Sequence, residues 1–321
     1  MNAKRPLMSF VIIAYNQEQF IREAVVGALS QTFSPLEIII SDDCSSDRTF
    51  EIIKEVVSKY DGQHEIILNR NEQNLGLAAH LNKVIEFVNS DFVILAGGDD
   101  ISMPERAQLS WDILNENLDC TAISFSTVTF ENEYRTIVTP SELVNSYKKY
   151  SIEHLIQNCN LHVNGAARTF RKSIFELFGP LRPETPTEDS TVLLRCLLAG
   201  SVINHDHPLV FYRIHGNNYF SSDNKYNIDY EKIHDQYIKD LEKAQDLGLI
   251  NHSVSISIEE SLEKKLQRRM TWSKFNREEN KVWTFVNLIL FSKVFTRFEK
   301  KRYFKKAISN VKLKMLRIFK E

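Results

Sequence analysis

A chain of 321 residues can hold one large domain or one domain with an appendage. Its 43% hydrophobic content is ordinary for a soluble globular protein. Four cysteines, Cys44, Cys120, Cys159 and Cys196, lie 76, 39 and 37 residues apart with no CxxC, which argues against a zinc site or a disulfide framework and for reduced thiols in a cytosolic protein. The net charge of −2 conceals a division: residues 262–321 carry 18 Lys and Arg against 5 Asp and Glu, leaving 22 against 37 in residues 1–261. The expectation is an acidic body with a basic arm directed at an anionic surface.

Taken in chain order, the apolar run from Leu7 to Tyr15 imitates a signal peptide, but it is too short for a membrane span and lacks a small-residue cleavage site. It reads as the first strand, Ser9–Tyr15. Strands are then predicted at Leu36–Ser41, Glu65–Asn69 and Phe92–Ala96, with helices near Glu18–Ser30, Arg48–Lys59 and Ala78–Val88, the spacing of βαβ units. Right-handed crossovers align the C-terminal ends of such strands along one edge. From Pro104 to Asp223 the pattern is mixed, with helices near Pro104–Asn115 and Ser190–Leu198 and strand-like runs at Ala122–Phe130 and Leu209–Arg213. After Tyr226 the sequence is helical in character, without Pro and with one Gly, Gly248. The predicted fold class is α/β with a C-terminal helical extension. Its expected domains are a catalytic unit over 1–225, divided into a nucleotide-binding half (1–100) and an acceptor half (101–225), and the basic extension over 226–321.

The chemistry concentrates in a few loops. Ala96-Gly97-Gly98-Asp99-Asp100-Ile101 follows a buried strand, at the sheet edge where open α/β folds bind ligands. Adjacent carboxylates there need a cation or several donors to neutralise them, so a divalent metal carrying a phosphorylated substrate is the economical reading. Asp42-Asp43-Cys44-Ser45-Ser46-Asp47 follows the second strand; Asp47 or Ser46 serves as a helix cap, which leaves Asp42 and Asp43 to meet a ligand. Thr187-Glu188-Asp189 follows Pro180, Pro183 and Pro186 and leads into a helix, where acids also suit the helix N-terminus. Tyr212-Arg213-Ile214-His215 closes the mixed region.

Val11–Asn16, Ser30–Phe33, Glu37–Asp47, Asn74-Leu75-Gly76 and Gly98-Asp99-Asp100, in this order, resemble the family 2 glycosyltransferases of GT-A fold, over roughly residues 8–220. The resemblance implies a Rossmann-like nucleotide-diphospho-sugar transferase that inverts the anomeric centre and uses Mn²⁺ or Mg²⁺. It implies Tyr15 along the nucleobase, Asp42 and Asp43 at the base or ribose, Asp99 as the metal ligand and Asp100 supporting the metal or donor sugar. Asp189 becomes the general base, Glu188 its helper in positioning hydroxyls, and Arg213 and His215 the residues that close over the diphosphate. One position departs from the family pattern: Gly97 stands where an Asp-x-Asp motif has its first Asp, so the metal depends on Asp99, diphosphate oxygens and water.

The implied partners are a UDP- or dTDP-sugar, a saccharide acceptor linked to polyprenyl diphosphate in O-antigen or capsule assembly, and the anionic inner face of the cell membrane through residues 262–321; no nucleic acid is expected. The longest uncharged run of the basic arm, Val282–Ser292, has 11 residues and cannot cross a bilayer, which takes about 20. Its alternatives are an amphipathic helix on the membrane and a helical hairpin packed on the body. Two other functions stay open on sequence alone. A nucleotidyltransferase would need a glycine-rich basic loop where Tyr15-Asn16-Gln17-Glu18 stands, and a non-catalytic binder of nucleotide sugar is raised by Gly97.

Overall fold

The structure, a computed structural model, describes residues 6–131, 146–157, 161, 163–215, 228–277, 285–290, 292, 295–297, 299–305 and 307–308. Cys159, Gly216-Asn217-Asn218, Trp283, Phe291, Phe298 and Phe319 lie outside these residues; Cys44, Cys120 and Cys196 are free thiols.

Continuous Val, Ile and Phe runs form strands that are buried on both faces. β1 (Met8–Ala14) and β2 (Leu36–Asp42) are buried at every position, and β4 (Phe92–Gly97) at all but the last. With β3 (Glu65–Arg70) they make a parallel unit in the order β3-β2-β1-β4. Its crossovers are α1 (Ile21–Leu29), α2 (Thr49–Val57) and α3 (Leu77–Phe87). Alternation along β1 sends Phe10 and Ile12 to one face, against Ile21 and Val25 of α1 and Ile53 of α2. It sends Val11 and Ile13 to the other, against Leu81 and Val84 of α3. Two cores therefore flank one sheet. Truncating a fully buried aromatic such as Phe10 to Ala should cost about 3–5 kcal/mol.

The second half completes a nine-stranded mixed sheet. A two-residue strand, β5 (Ile101–Ser102), leaves the Asp pair, and α4 (Arg106–Glu116) leads to β6 (Cys120–Phe130). β7 (Tyr147–Tyr150) and α5 (Ile152–Gln157) precede β8 (Arg168–Arg171), which lies antiparallel between β4 and β6. After α6 (Ser173–Phe178) and α7 (Asp189–Ala199) comes β9 (Ser201–Arg213). Pro208 confined the sequence reading of β9 to its last five residues. The strand in fact begins at Ser201 and passes Pro208 where its register with β6 shifts, the irregularity that lets a residue without an N–H sit inside a sheet. β5, β7, α5, β8 and α6 are too short to carry a period and were not expected.

α8 (Tyr230–Asp246) starts at an Asp229 cap, and Gly248, at φ 69°, turns the chain into α9 (His252–Arg277). Ile233, Tyr237 and Leu241 of α8 and Ile258 and Leu262 of α9 join the core that contains α3 and α7. Beneath them the fully buried Arg195 and Asp240 form a two-pronged ion pair, 2.9 Å on each side. α8 and α9 thus pack on the body as a helical hairpin, of which only residues 262–277 belong to the basic arm. Phe275, near the end of α9, gathers with Ile289, Phe295, Ala307 and Tyr303 in a small separate cluster. Among the described residues no helix is long and apolar enough to cross a membrane.

Candidate active site

Aligned strand ends build the site. Ala14 pairs with Asp42 and Ile13 with Gly97, so the loops after β1, β2 and β4 leave the sheet side by side. The first two are laced together. Ser45 Oγ accepts from the Asn16 amide (2.9 Å), and Asn16 Oδ1 accepts from the Ser46 amide (2.9 Å). Asp47 Oδ2 accepts from the Glu18 amide (3.0 Å), while its Oδ1 accepts from the Thr49 amide (2.9 Å) at the start of α2. Gly98 lies so close to Gln17, Ile21 and Ala14 that a Cβ there would stand 2.8 Å from Ile21 Cδ1. Small size, not turn geometry, is what that position requires.

These loops and the start of α7 enclose a cavity of about 450 Å³. Tyr15, Asp43, Asp99, Asp100, Glu188, Asp189 and His215 line it; Asp42 and Arg213 do not. Asp42 is fully buried, where it accepts from the Ser45 amide (3.0 Å) and hydroxyl and meets Arg70 Nε at 3.3 Å. It holds the loop that presents Asp43. Asp43 accepts from Asn71 Nδ2 (2.8 Å) and from the Leu75 and Gly76 amides (3.0 Å each). Tyr15 is half-exposed at the rim.

The Asp99–Asp100 pair is tethered from both ends, because β5 pairs with Val210 and Phe211 of β9 and so brings Arg213 and His215 alongside. The Arg213 amide donates to Asp100 Oδ1 (3.0 Å), and its guanidinium lies between the rings of Phe20 and Phe130, bonded to Glu23 and to the Asp99 carbonyl (3.1 Å). Arg213 therefore props the acidic loop from behind. His215 does face the cavity, its Nε2 3.0 Å from Asp99 Oδ2 and its ring 4.6 Å from that of Phe20. A Cβ at Gly97 would stand 2.7 Å from Asp99 Oδ1. The absence of the family's first Asp is what leaves space for this Asp99 conformation.

Burial and the neighbouring Asp99 push the Asp100 carboxyl up to about 8, against the Arg213 amide and the Arg106 guanidinium. Arg106 is itself fully buried, donating to Ser102 Oγ and the Leu95 carbonyl at 2.8 Å each, and burial lowers it to about 9. Its signal in the sequence was a cation on the same stripe as Ser110 and Leu114 of α4. A carboxyl whose pKa is raised on folding keeps its proton where the unfolded chain has lost it. Stability of the metal-free chain should therefore fall as pH rises from about 4 to about 8, by up to ~1.4 kcal/mol per pH unit. With EDTA present the melting temperature should drop between pH 5 and pH 8, and Asp100→Asn should flatten that slope; an identical slope in the variant would refute the assignment.

Across the cavity, Asp189 opens α7 and is anchored by Arg168 Nη1, which donates to its carbonyl at 2.6 Å. Burial raises Asp189, with Arg168 opposing, and burial with the nearby Asp189 pushes Glu188 up to about 8. Two buried oxygens, Thr187 Oγ1 and Glu188 Oε2, have no protein partner among the described residues. Gly165 carries the Asp189 carboxylate directly over its Cα, where a Cβ would overlap all three carboxylate atoms. Thr187 and Gly165 were not singled out from sequence; only the fold brings Gly165 to α7.

Among the described residues no three His, Cys, Asp or Glu side chains converge as a closed metal cage. Asp99 and His215 nevertheless line the cavity with a carboxylate oxygen and an imidazole nitrogen; the carboxylate suits Mn²⁺ or Mg²⁺ and the imidazole favours Mn²⁺ over the harder Mg²⁺, with the other ligands coming from substrate and water.

A family model described as Glycosyl transferase family 2 matches residues 9–178. An uncharacterized glycosyltransferase of Haemophilus influenzae is 29% identical over 223 residues, 66% of this chain and 67% of the relative. Putative glycosyltransferase EpsH of Bacillus subtilis is 29% identical over 218 residues, 65% of this chain but only 61% of EpsH. Two solved structures share the fold. S. aureus TarS 1–349 in complex with UDP has a TM-score of 0.62 at 14% identity and covers 95% of this chain and 88% of its own. Mannosyltransferase PcManGT from Pyrobaculum calidifontis, in complex with GDP-Man and Mn²⁺, has 0.58 at 13%, covering 96% and 85%. A sequence match through more than half of the chain, on a fold shared with these two solved structures, places this protein in glycosyl transferase family 2, built on the GT-A fold.

Proposed function

We propose that the protein transfers a sugar from a UDP- or dTDP-sugar to a hydroxyl of a saccharide acceptor, with inversion. The observation that carries this reading is the convergence of Asp43, Asp99 and Asp189, which lie far apart in sequence, on one cavity. Tyr15 and Asp43 hold the nucleoside end. Asp99 and His215 would hold a divalent cation, which when bound would supply charge stabilisation to the departing diphosphate. Asp189 takes the proton of the acceptor hydroxyl as that oxygen attacks the anomeric carbon and the bond to the diphosphate breaks. Attack opposite the leaving group inverts the centre. Glu188 and Thr187, with oxygens that lack protein partners, orient sugar hydroxyls. UDP bound to TarS and Mn²⁺ bound to PcManGT support the donor class and the cation. Titration calorimetry with UDP should show binding strengthened at least tenfold by Mn²⁺ in the wild type and not in Asp99→Ala; equal strengthening in both would overturn the metal assignment.

The acceptor we propose is lipid-linked and destined for surface polysaccharide, with the enzyme peripheral on the inner membrane face. Beyond α9 the exposed apolar side chains Val286, Leu290, Phe304 and Ile308 occur among exposed Lys301, Arg302 and Lys305, the mixture that favours an anionic leaflet. Because Leu262 and Phe275 are buried, the informative truncation removes residues 278–321 and spares α9. The shortened chain should no longer sediment with anionic liposomes in low salt; undiminished binding would end the membrane role.

A further inference from the structure

His80, on α3, has no part in the steps above, yet it lines the cavity beside Asp43, Gly76 and Leu77 while being 2% exposed. A chain of hydrogen bonds fixes which nitrogen carries its proton. The Leu75 and Gly76 amides donate to the two oxygens of Asp43, which marks this carboxylate as an acceptor, so Asn71 turns its NH2 toward Oδ1 (2.8 Å). Asn71 Oδ1 then accepts from Asn69 Nδ2 (3.0 Å), and the same Nδ2 donates to Ser41 Oγ (2.8 Å). Ser41 Oγ is buried and, among the described residues, has only His80 Nε2 (2.6 Å) to accept its own proton, so it donates there. A neutral imidazole that accepts at Nε2 holds its proton on Nδ1, and Nδ1 has no protein partner among the described residues. Burial lowers the His80 pKa against the pull of Asp43 and Asp42, which keeps the ring neutral.

Asp43 in turn has limited capacity. A carboxylate offers about four lone-pair sites, and Asn71, Leu75 and Gly76 use three. One acceptor site of Asp43 and one N–H donor of His80 are therefore left over in residues that line the same cavity. Uracil and thymine present that complement, a single ring N–H flanked by carbonyls. Guanine presents two adjacent donors beside its carbonyl, and cytosine reverses the order.

The geometry points to His80 as the second half of a base-reading pair: its Nδ1–H donates to a ring carbonyl while Asp43 accepts from the adjacent ring N–H, selecting a uracil or thymine nucleoside diphosphate. This inference rests on the donor reading proposed above. The test titrates UDP, CDP and GDP, each with Mn²⁺, into the full-length wild type, His80→Leu and His80→Asn, with melting temperatures confirming that each is folded. Asn keeps an N–H near the position of Nδ1. The wild type should bind UDP at least about tenfold more tightly than CDP or GDP. His80→Leu should lose about tenfold toward UDP, equivalent to about 1.4 kcal/mol, with CDP changed less than twofold, and His80→Asn should recover most of the loss. A UDP-to-CDP preference unchanged in folded His80→Leu overturns the base-reading pair while the donor reading stands, and a wild type that prefers CDP or GDP overturns both. A wild type that binds none of the three overturns both.

Discussion

Asp189→Asn should lower turnover of the sugar donor by roughly a thousandfold while leaving UDP affinity within about threefold of wild type. General base catalysis contributes about 10²–10⁴ in rate, and Asn preserves the shape that rests on Gly165 while losing the ability to take a proton. The second arm of the same experiment is Gly165→Ala, which keeps the carboxylate and moves it. The added Cβ would occupy the space of the Asp189 carboxylate, so the side chain must swing away. Misplacement by about 1 Å costs on the order of 10² in rate. Gly165→Ala should therefore reduce kcat about a hundredfold with KM for the donor little changed and the chain still folded. A base that has only been moved keeps a pH-rate profile of the same form, whereas Asp189→Asn should lose the limb that reports its ionisation. Retention of more than a tenth of wild-type activity by Asp189→Asn would show that another group takes the proton.

Asp240→Ala should destabilise the protein by about 3–5 kcal/mol, because it strands the Arg195 guanidinium without its counter-charge in a site closed to water. Arg195 is also held by the Gly179 carbonyl at 2.7 Å and lies over the rings of Phe175 and Phe178, so it cannot turn outward to solvent. The melting temperature should fall by roughly 5–15 °C. The paired replacement Arg195→Met with Asp240→Leu should recover most of this, since it removes both buried charges. By contrast, Arg22–Glu55 is as short, at 2.7 Å, but exposed at both ends; breaking it should leave the melting temperature nearly unchanged. A loss below 1 kcal/mol for Asp240→Ala would mean that the buried ion pair does not hold α8 to the body. The result bears on function because the helix that carries Arg195 also begins with Asp189.

The two halves of the chain differed in how far their sequences could be read. β1, β2, β4 and their crossover helices were found within two or three residues, since each is long enough to display a continuous apolar run or a helical stripe. The acidic loops at the strand ends followed from those boundaries. Asp43, Asp99, Asp100, Glu188, Asp189, Tyr15 and His215 do stand around one cavity. Asp42 and Arg213 looked the same in sequence, as polar residues in a motif, but only the fold shows that their side chains support the loops from behind.

What the sequence determined by itself was the parallel α/β half, its ligand-binding edge, the family, and an acidic body joined to a basic tail; these rest on composition and short-range period. Tertiary structure alone decided the rest. β8 enters between β4 and β6, β5 ties the Asp pair to the end of β9, Gly165 meets Asp189, Arg106 comes to lie near Asp100, and Ser41 and Asn69 set the proton on His80. Each of these depends on partners brought together by chain reversal. The free energy of such a contact belongs to the pair and to its exclusion of water, so neither residue carries a local signature of it.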